Sequence, residues 1–224
     1  MIVFKATTDA LLVQATLPAG GADQLPAMLL QLQSSLQGTP VKVHAAFNSA
    51  ECTFYAYVSL AQRTKLEMTV ATSLESNIKS QWPLWRNVRV SRLEQVLALK
   101  GASANAQPVS HYVVEMDPET GWMPELAEWY DTEHMPGLAT VPGCIRATRF
   151  LNHDHGPLSL ACYDLVSVET LGSPPWLAVR NTEWSSRMRP HFTHTIRTMF
   201  DCLPLPVQSI PVQSIPVPSF SLHE

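Results

Sequence analysis

The chain has 224 residues, 46% of them hydrophobic and 15% charged, with a formal net charge of -4. That apolar content suffices to bury a core and excludes disorder over most of the length. A small acidic excess leaves no electrostatic footprint for nucleic acid, and without a run of about 18 apolar residues no membrane span is expected.

In chain order, residues 1–17 predict a strand, a turn near 7–9 and a second extended piece. Their only early cation is Lys5, and Asp9 interrupts the apolar run, unlike a signal peptide. A Pro-Ala-Gly-Gly loop follows, and Asp23 is placed to cap a helix over 25–36, where Leu25, Met28, Leu29, Leu32 and Leu36 recur at helical spacing. Residues 41–47 and 52–60 read as a hairpin, 61–80 as a helix, and 85–99 as a strand that turns helical near 93–99. Residues 101–108 are small and polar and predict a linker. Beyond it the order returns: strand 111–116, helix 121–134 ended by Pro136, strands 144–152 and 158–167, helix 177–188, strand 193–202. From residue 206 a five-residue proline repeat, Pro-Val-Gln-Ser-Ile, predicts an extended tail.

Each half therefore reads β-α-β-β-α-β, the split βαβ, ferredoxin-like order. The expected division is 1–100, a linker at 101–109, a second unit at 110–203 and a tail at 204–224. Helices cover one face of each sheet. The other faces can cover each other, with a cavity between them. The four cysteines are scattered and form no C-x-x-C pair, which suits reduced thiols in a cytoplasmic protein.

The stretch 128–138 carries the most chemistry. On an α-helix Tyr130 and His134 are four apart and share a face, with Trp129 beside them. A phenol and an imidazole at a cavity form an acid–base pair, the imidazole titrating near neutrality and the hydroxyl donating to an oxyanion. The alternative for His134 is to cap the helix end. Arg146 and Arg149, three apart on a strand, face opposite sides, and one of them could hold an anion. His153 and His155 flank Asp154 in a turn, a pattern that is more often a polar loop than a metal site. His194, on the last strand, could face the cavity. No phosphate-binding or nucleophile-elbow motif is present.

The run Trp-Tyr-Asp-Thr-Glu-His-Met-Pro at 129–136, followed by Val-Pro-Gly at 141–143, Ala-Thr-Arg-Phe at 147–150 and residues 182–190 and 197–200, resembles the dimeric α/β-barrel superfamily, and within it the EthD-like group. The similarity covers about 110–203; the first half matches in element order alone. The resemblance implies tandem α+β units forming an intramolecular barrel pair. It also implies an activity drawn from a varied set of cofactor-free monooxygenases, isomerases, cyclases and haem-binding enzymes. The expectation is a cofactor-independent acid–base enzyme acting on a small hydrophobic cyclic or aromatic compound. Its catalytic residues are His134 and Tyr130; Arg149, Trp129 and His194 bind substrate, and no metal or cofactor is expected. A ligand-binding or assembly protein, and a haem-binding or monooxygenase member of the superfamily, are the alternatives. A homodimer is compatible with either; a nucleic-acid or membrane partner is not expected.

Overall fold

The computed structural model describes residues 5–34 and 41–204; the proline-repeat tail lies outside them. The first half contains β1 (Lys5–Thr16), α1 (Leu25–Ser34), β2 (Val41–Asn48), β3 (Thr53–Glu67), α2 (Met68–Gln81) and β4 (Arg86–Lys100). The second contains β5 (Ser110–Pro118), α3 (Met123–Trp129), α4 (Met135–Ala139), β6 (Cys144–Asn152), β7 (Ser159–Leu165), α5 (Pro174–Arg180), α6 (Glu183–Met188) and β8 (Phe192–Cys202). A π-helical turn, Tyr130–His134, joins α3 to α4.

The eight strands close into one barrel in the order β1-β3-β2-β8-β5-β7-β6-β4, every neighbour antiparallel. Each half keeps the ferredoxin-like order, last-first-third-second. The second strand of each half pairs with the last strand of the other. The seam between β4 and β6 runs from Leu93↔Asn152 to Lys100↔Arg146; the seam between β2 and β8 is short, Ala46↔Cys202 and Phe47↔Asp201. Two kindred α+β units thus form an intramolecular dimeric α/β-barrel arrangement. Closure within one chain gives every described strand a neighbour on both sides, over only two residue pairs at the β2–β8 seam.

Side-chain alternation sorts the core into three parts. Leu11, Val13, Phe54 and Val90 point outward and pack under α1 and α2. Tyr163, Ala161 and Met116 point outward in the second half, under α3 to α6. Leu12, Tyr55, Tyr57, Phe150, Leu160 and Phe200 fill the inside of the barrel. Strands covered on both faces lose the alternating polar pattern, and β7 is buried at every position.

Four local expectations change. Residues 61–67 continue β3 rather than opening a helix, because they pair with β1 out to Lys5↔Glu67. Residues 93–99 stay extended, because β4 uses them to reach β6. In both stretches pairing with a distant strand overrides local preference. The helix expected over 177–188 is two short ones. It breaks at Asn181-Thr182, where the Thr182 hydroxyl accepts from the Ser185 N–H at 3.1 Å and starts α6. Near Thr8 and Ala10 the expected turn is a bulge within a single strand. The 101–109 connection is fastened to β6: Gly101 N–H donates to Ile145 and Ser103 N–H to Cys144, both at 2.8 Å. All four cysteines are free thiols, and no described helix is long and apolar enough to cross a membrane.

Candidate active site

Pro136 shapes the segment that carries the motif. It lacks an N–H, and in an α-helix its ring would collide with the carbonyl four residues back. Widening one turn relieves both problems: Met135 N–H bonds to Tyr130 O, five residues away. The rod therefore continues through Pro136 to Ala139 instead of ending there. The wide turn also changes which side chains meet. Positions five apart now align, so His134 stacks on Trp129, ring centroids 4.1 Å apart and planes at 23°. Tyr130 meets the same imidazole edge-on at 5.7 Å.

Trp129, Tyr130 and His134 line a pocket of about 110 Å³ beneath α5 and α6, on the outer face of β5, β7 and β8. The expected location, between the two sheets, is thus corrected: the motif is on a helix that covers the outer face, so its side chains cannot reach the barrel interior. The strands contribute Tyr112 and Tyr163, and α5 adds Trp176. Arg180, Arg189 and Arg197 also border it. The Arg189 Nε donates to Ser185 O at 3.1 Å, which fixes its guanidinium. Among the described residues, Arg180 and Arg197 have no carboxylate partner.

Burial lowers the His134 pKa most, and the charges of Arg189 and Arg180 lower it further, to about 3. The imidazole is therefore neutral; its Nδ1 lies 3.5 Å from the Ser185 hydroxyl, which donates to Val179 O at 3.2 Å. Burial pushes the Tyr130 hydroxyl up, against the opposing charge of Arg149, so it remains a proton donor. Arg149 lies behind Tyr130, its guanidinium carbon 5.5 Å from the ring centroid, and pairs with Asp131 at 3.0 Å. It supports the tyrosine and does not line the pocket. Arg149 Nε and Nη1, Trp129 Nε1 and the Tyr163 hydroxyl make up four of the eight buried side-chain polar atoms without a partner among the described residues. Such atoms are rare in a folded core, and here they gather at one place.

His194 is elsewhere. Its side chain is 78% exposed and pairs with Asp117 on the surface at 2.9 Å. His153 and His155 do not converge on a metal: they reach Glu94 and Glu75, each at 3.2 Å, while Asp154 between them holds Arg92. The structure thus brings together three of the five expected site residues. It adds Tyr112, Tyr163, Trp176 and the three arginines, which only strand phase and helix placement could have found.

No protein-family profile matches the chain, and no curated protein does. Solved structures do resemble it in fold. An anthrone oxidase-like protein aligns with a TM-score of 0.62 at 11% identity, over 91% of this chain and 94% of its own. A candidate monooxygenase from Fusobacterium nucleatum aligns at 0.60 and 11%, over 89% and 94%. A chlorite dismutase from Candidatus Nitrospira defluvii, in complex with imidazole, aligns at 0.58 and 9%, over 88% and 92%. At such identities the likeness establishes the fold alone.

Proposed function

We propose that this chain is a cofactor-independent enzyme that deprotonates a small aromatic compound bearing an acidic hydroxyl or C–H group. The observation that carries this reading is the combination in one pocket of a neutral imidazole, a protonated phenol and three arginines against aromatic walls. The walls take a ring, and the arginines favour the anion that deprotonation creates. His134 accepts the proton. Its pKa is low in the free pocket chiefly because it is buried and further because cations face it; an arriving anion offsets those cations and raises its basicity. Tyr130 donates a hydrogen bond to the developing oxyanion. Trp129 holds the imidazole by stacking, and Arg149 supports Tyr130 from behind.

The electron-rich anion is also what a cofactor-free monooxygenase offers to dioxygen, and the oxidase- and monooxygenase-type proteins of similar fold favour that outcome over isomerisation or cyclisation. Size limits the substrate. A pocket of about 110 Å³ is smaller than the apolar cavity of about 150 Å³ that admits benzene, so at most one ring enters and the rest of a larger molecule stays outside. The pocket that His134 lines is smaller than a porphyrin, and His194 is held outside it by Asp117, so this pocket favours a cofactor-free reading over haem.

The test is turnover and oxygen uptake with a panel of phenols, hydroquinones, naphthols and anthrones. The expected result is that His134→Ala lowers kcat/KM at least about a hundredfold on any accepted member, while Arg189→Gln raises KM. Equal rates in the wild type and His134→Ala, both folded, would discard the assignment.

A further inference from the structure

The inner face of the second sheet carries a separate cluster, unrelated to the His134 pocket on its outer face. Strand phase sends His111 on β5 and Asp164 on β7 into the barrel, and His44 reaches them from β2 in the other half. Three atoms converge. His44 Nε2 is 3.3 Å from His111 Nδ1, His44 Nε2 is 3.2 Å from Asp164 Oδ1, and His111 Nδ1 is 2.7 Å from the same oxygen. We infer that His44, His111 and Asp164 bind a divalent transition-metal ion at the mouth of the barrel.

The dimensions suit it. Bonds of about 2.0–2.1 Å place neighbouring ligand atoms about 3.3 Å apart in a tetrahedral zinc site. In the facial array of two histidines and one carboxylate that holds non-haem iron the separation is about 3.0 Å. Two edges of the observed triangle already match, and the third needs to open by about half an ångström. His111 Nδ1 and His44 Nε2 both approach one carboxylate oxygen, Asp164 Oδ1, and lie 3.3 Å from each other, so three ligand-type atoms crowd a single point. As three lone pairs around a cation they are well arranged.

The surroundings point the same way. The remaining nitrogen of His111, Nε2, is 3.2 Å from the Tyr57 hydroxyl, which orients the ring. The remaining oxygen of Asp164 accepts from Arg146 Nε at 2.9 Å and Nη2 at 2.7 Å, leaving Oδ1 free to turn inward. A cavity of about 230 Å³ adjoins the cluster and is lined by all three residues. It leaves room for water or an exogenous ligand, as in an open rather than a closed site. With Arg146 offsetting Asp164, the bound ion keeps its double positive charge, so that ligand is an anion or hydroxide.

Cobalt(II) is the probe, added to the chelator-treated, untagged full-length chain at neutral pH. The expected result is a visible d–d absorption that saturates at one equivalent and is displaced by zinc(II), with zinc raising the melting temperature. His44 is partly exposed, so His44→Ala should fold; it should bleach the band and remove the zinc-dependent shift. His191→Ala, which removes a surface imidazole paired with Glu119, should keep both. If His44→Ala does not fold, His44→Gln replaces it. A wild-type chain that shows no band, or a band that survives loss of His44, would overturn the site and reduce the cluster to a hydrogen-bonded network.

Discussion

His134 sits in a π-turn, stacked on Trp129, with cations at its pocket rather than carboxylates. That setting makes it a measurable contributor to acid sensitivity. In the unfolded chain a histidine titrates near 6.5, and in the fold this one titrates near 3. Between those values the unfolded state binds more protons, so stability rises with pH across the window and is lost as pH falls from about 6.5 toward 3. His134→Gln removes this contribution. Urea midpoints measured from about pH 4 to 7 should then rise less steeply than in the wild type; parallel slopes would show that the imidazole is not held neutral. His111 acts in the same direction, since burial lowers its pKa despite Asp164. Of the individual residues, Tyr130, His134 and Trp129 were legible as a group from their spacing alone. The arginines of the pocket were not, because Arg180, Arg189 and Arg197 come from two helical segments and a strand and meet only in the fold.

At the scale of elements, β6 begins and ends where the sequence predicts, at Cys144 and Asn152. Its start depends on Gly143, whose backbone has φ +97° and whose missing Cβ would stand 2.4 Å from Thr170 Oγ1. Gly121, at φ +89°, has open space around it. The two positions separate backbone strain from crowding. Gly121→Ala should cost about 1 kcal/mol from the positive φ alone, and Gly143→Ala clearly more, because Thr170, in the turn that follows β7, must also move. Equal losses in chemical denaturation would mean that the loop yields freely. Helix boundaries were less legible than strand boundaries. Pro136 reads as a stop by any local rule, and the chain instead accommodates it with a wide turn because Met135 before it and Leu138 after it are buried.

At the scale of the whole molecule, the halves are joined by ion pairs as well as by strands. Arg92 of β4 is 1% exposed and meets Asp154 of the β6–β7 turn at 2.6 Å, with its Nη1 donating to Leu66 O at 2.7 Å. Burial alone would raise the Asp154 carboxyl, and the Arg92 bonds outweigh it, so the group sits below its usual range. Removing one partner strands the other charge. Asp154→Ala should therefore cost about 3–5 kcal/mol, and the double change Arg92→Met with Asp154→Leu should recover part of that loss. A near-neutral single variant would show that the turn does not clamp the halves. The histidines beside Asp154, which suggest a metal loop in isolation, serve the same junction through Glu94 and Glu75.

The sequence by itself determined the order of elements, their repetition in two halves, the ferredoxin-like class and the helix that carries Trp129, Tyr130 and His134, because each of these is written in periodicities a few residues long. Only the tertiary structure decided which side of a sheet a residue faces and what meets it there. A shift of one residue in strand register exchanges the two faces, and register is set by partners far away in the chain. That is why the Tyr130–His134 pocket opens on the helix side rather than between the sheets. It is also why His44, His111 and Asp164, separated by 67 and 53 positions, come together only when the barrel closes.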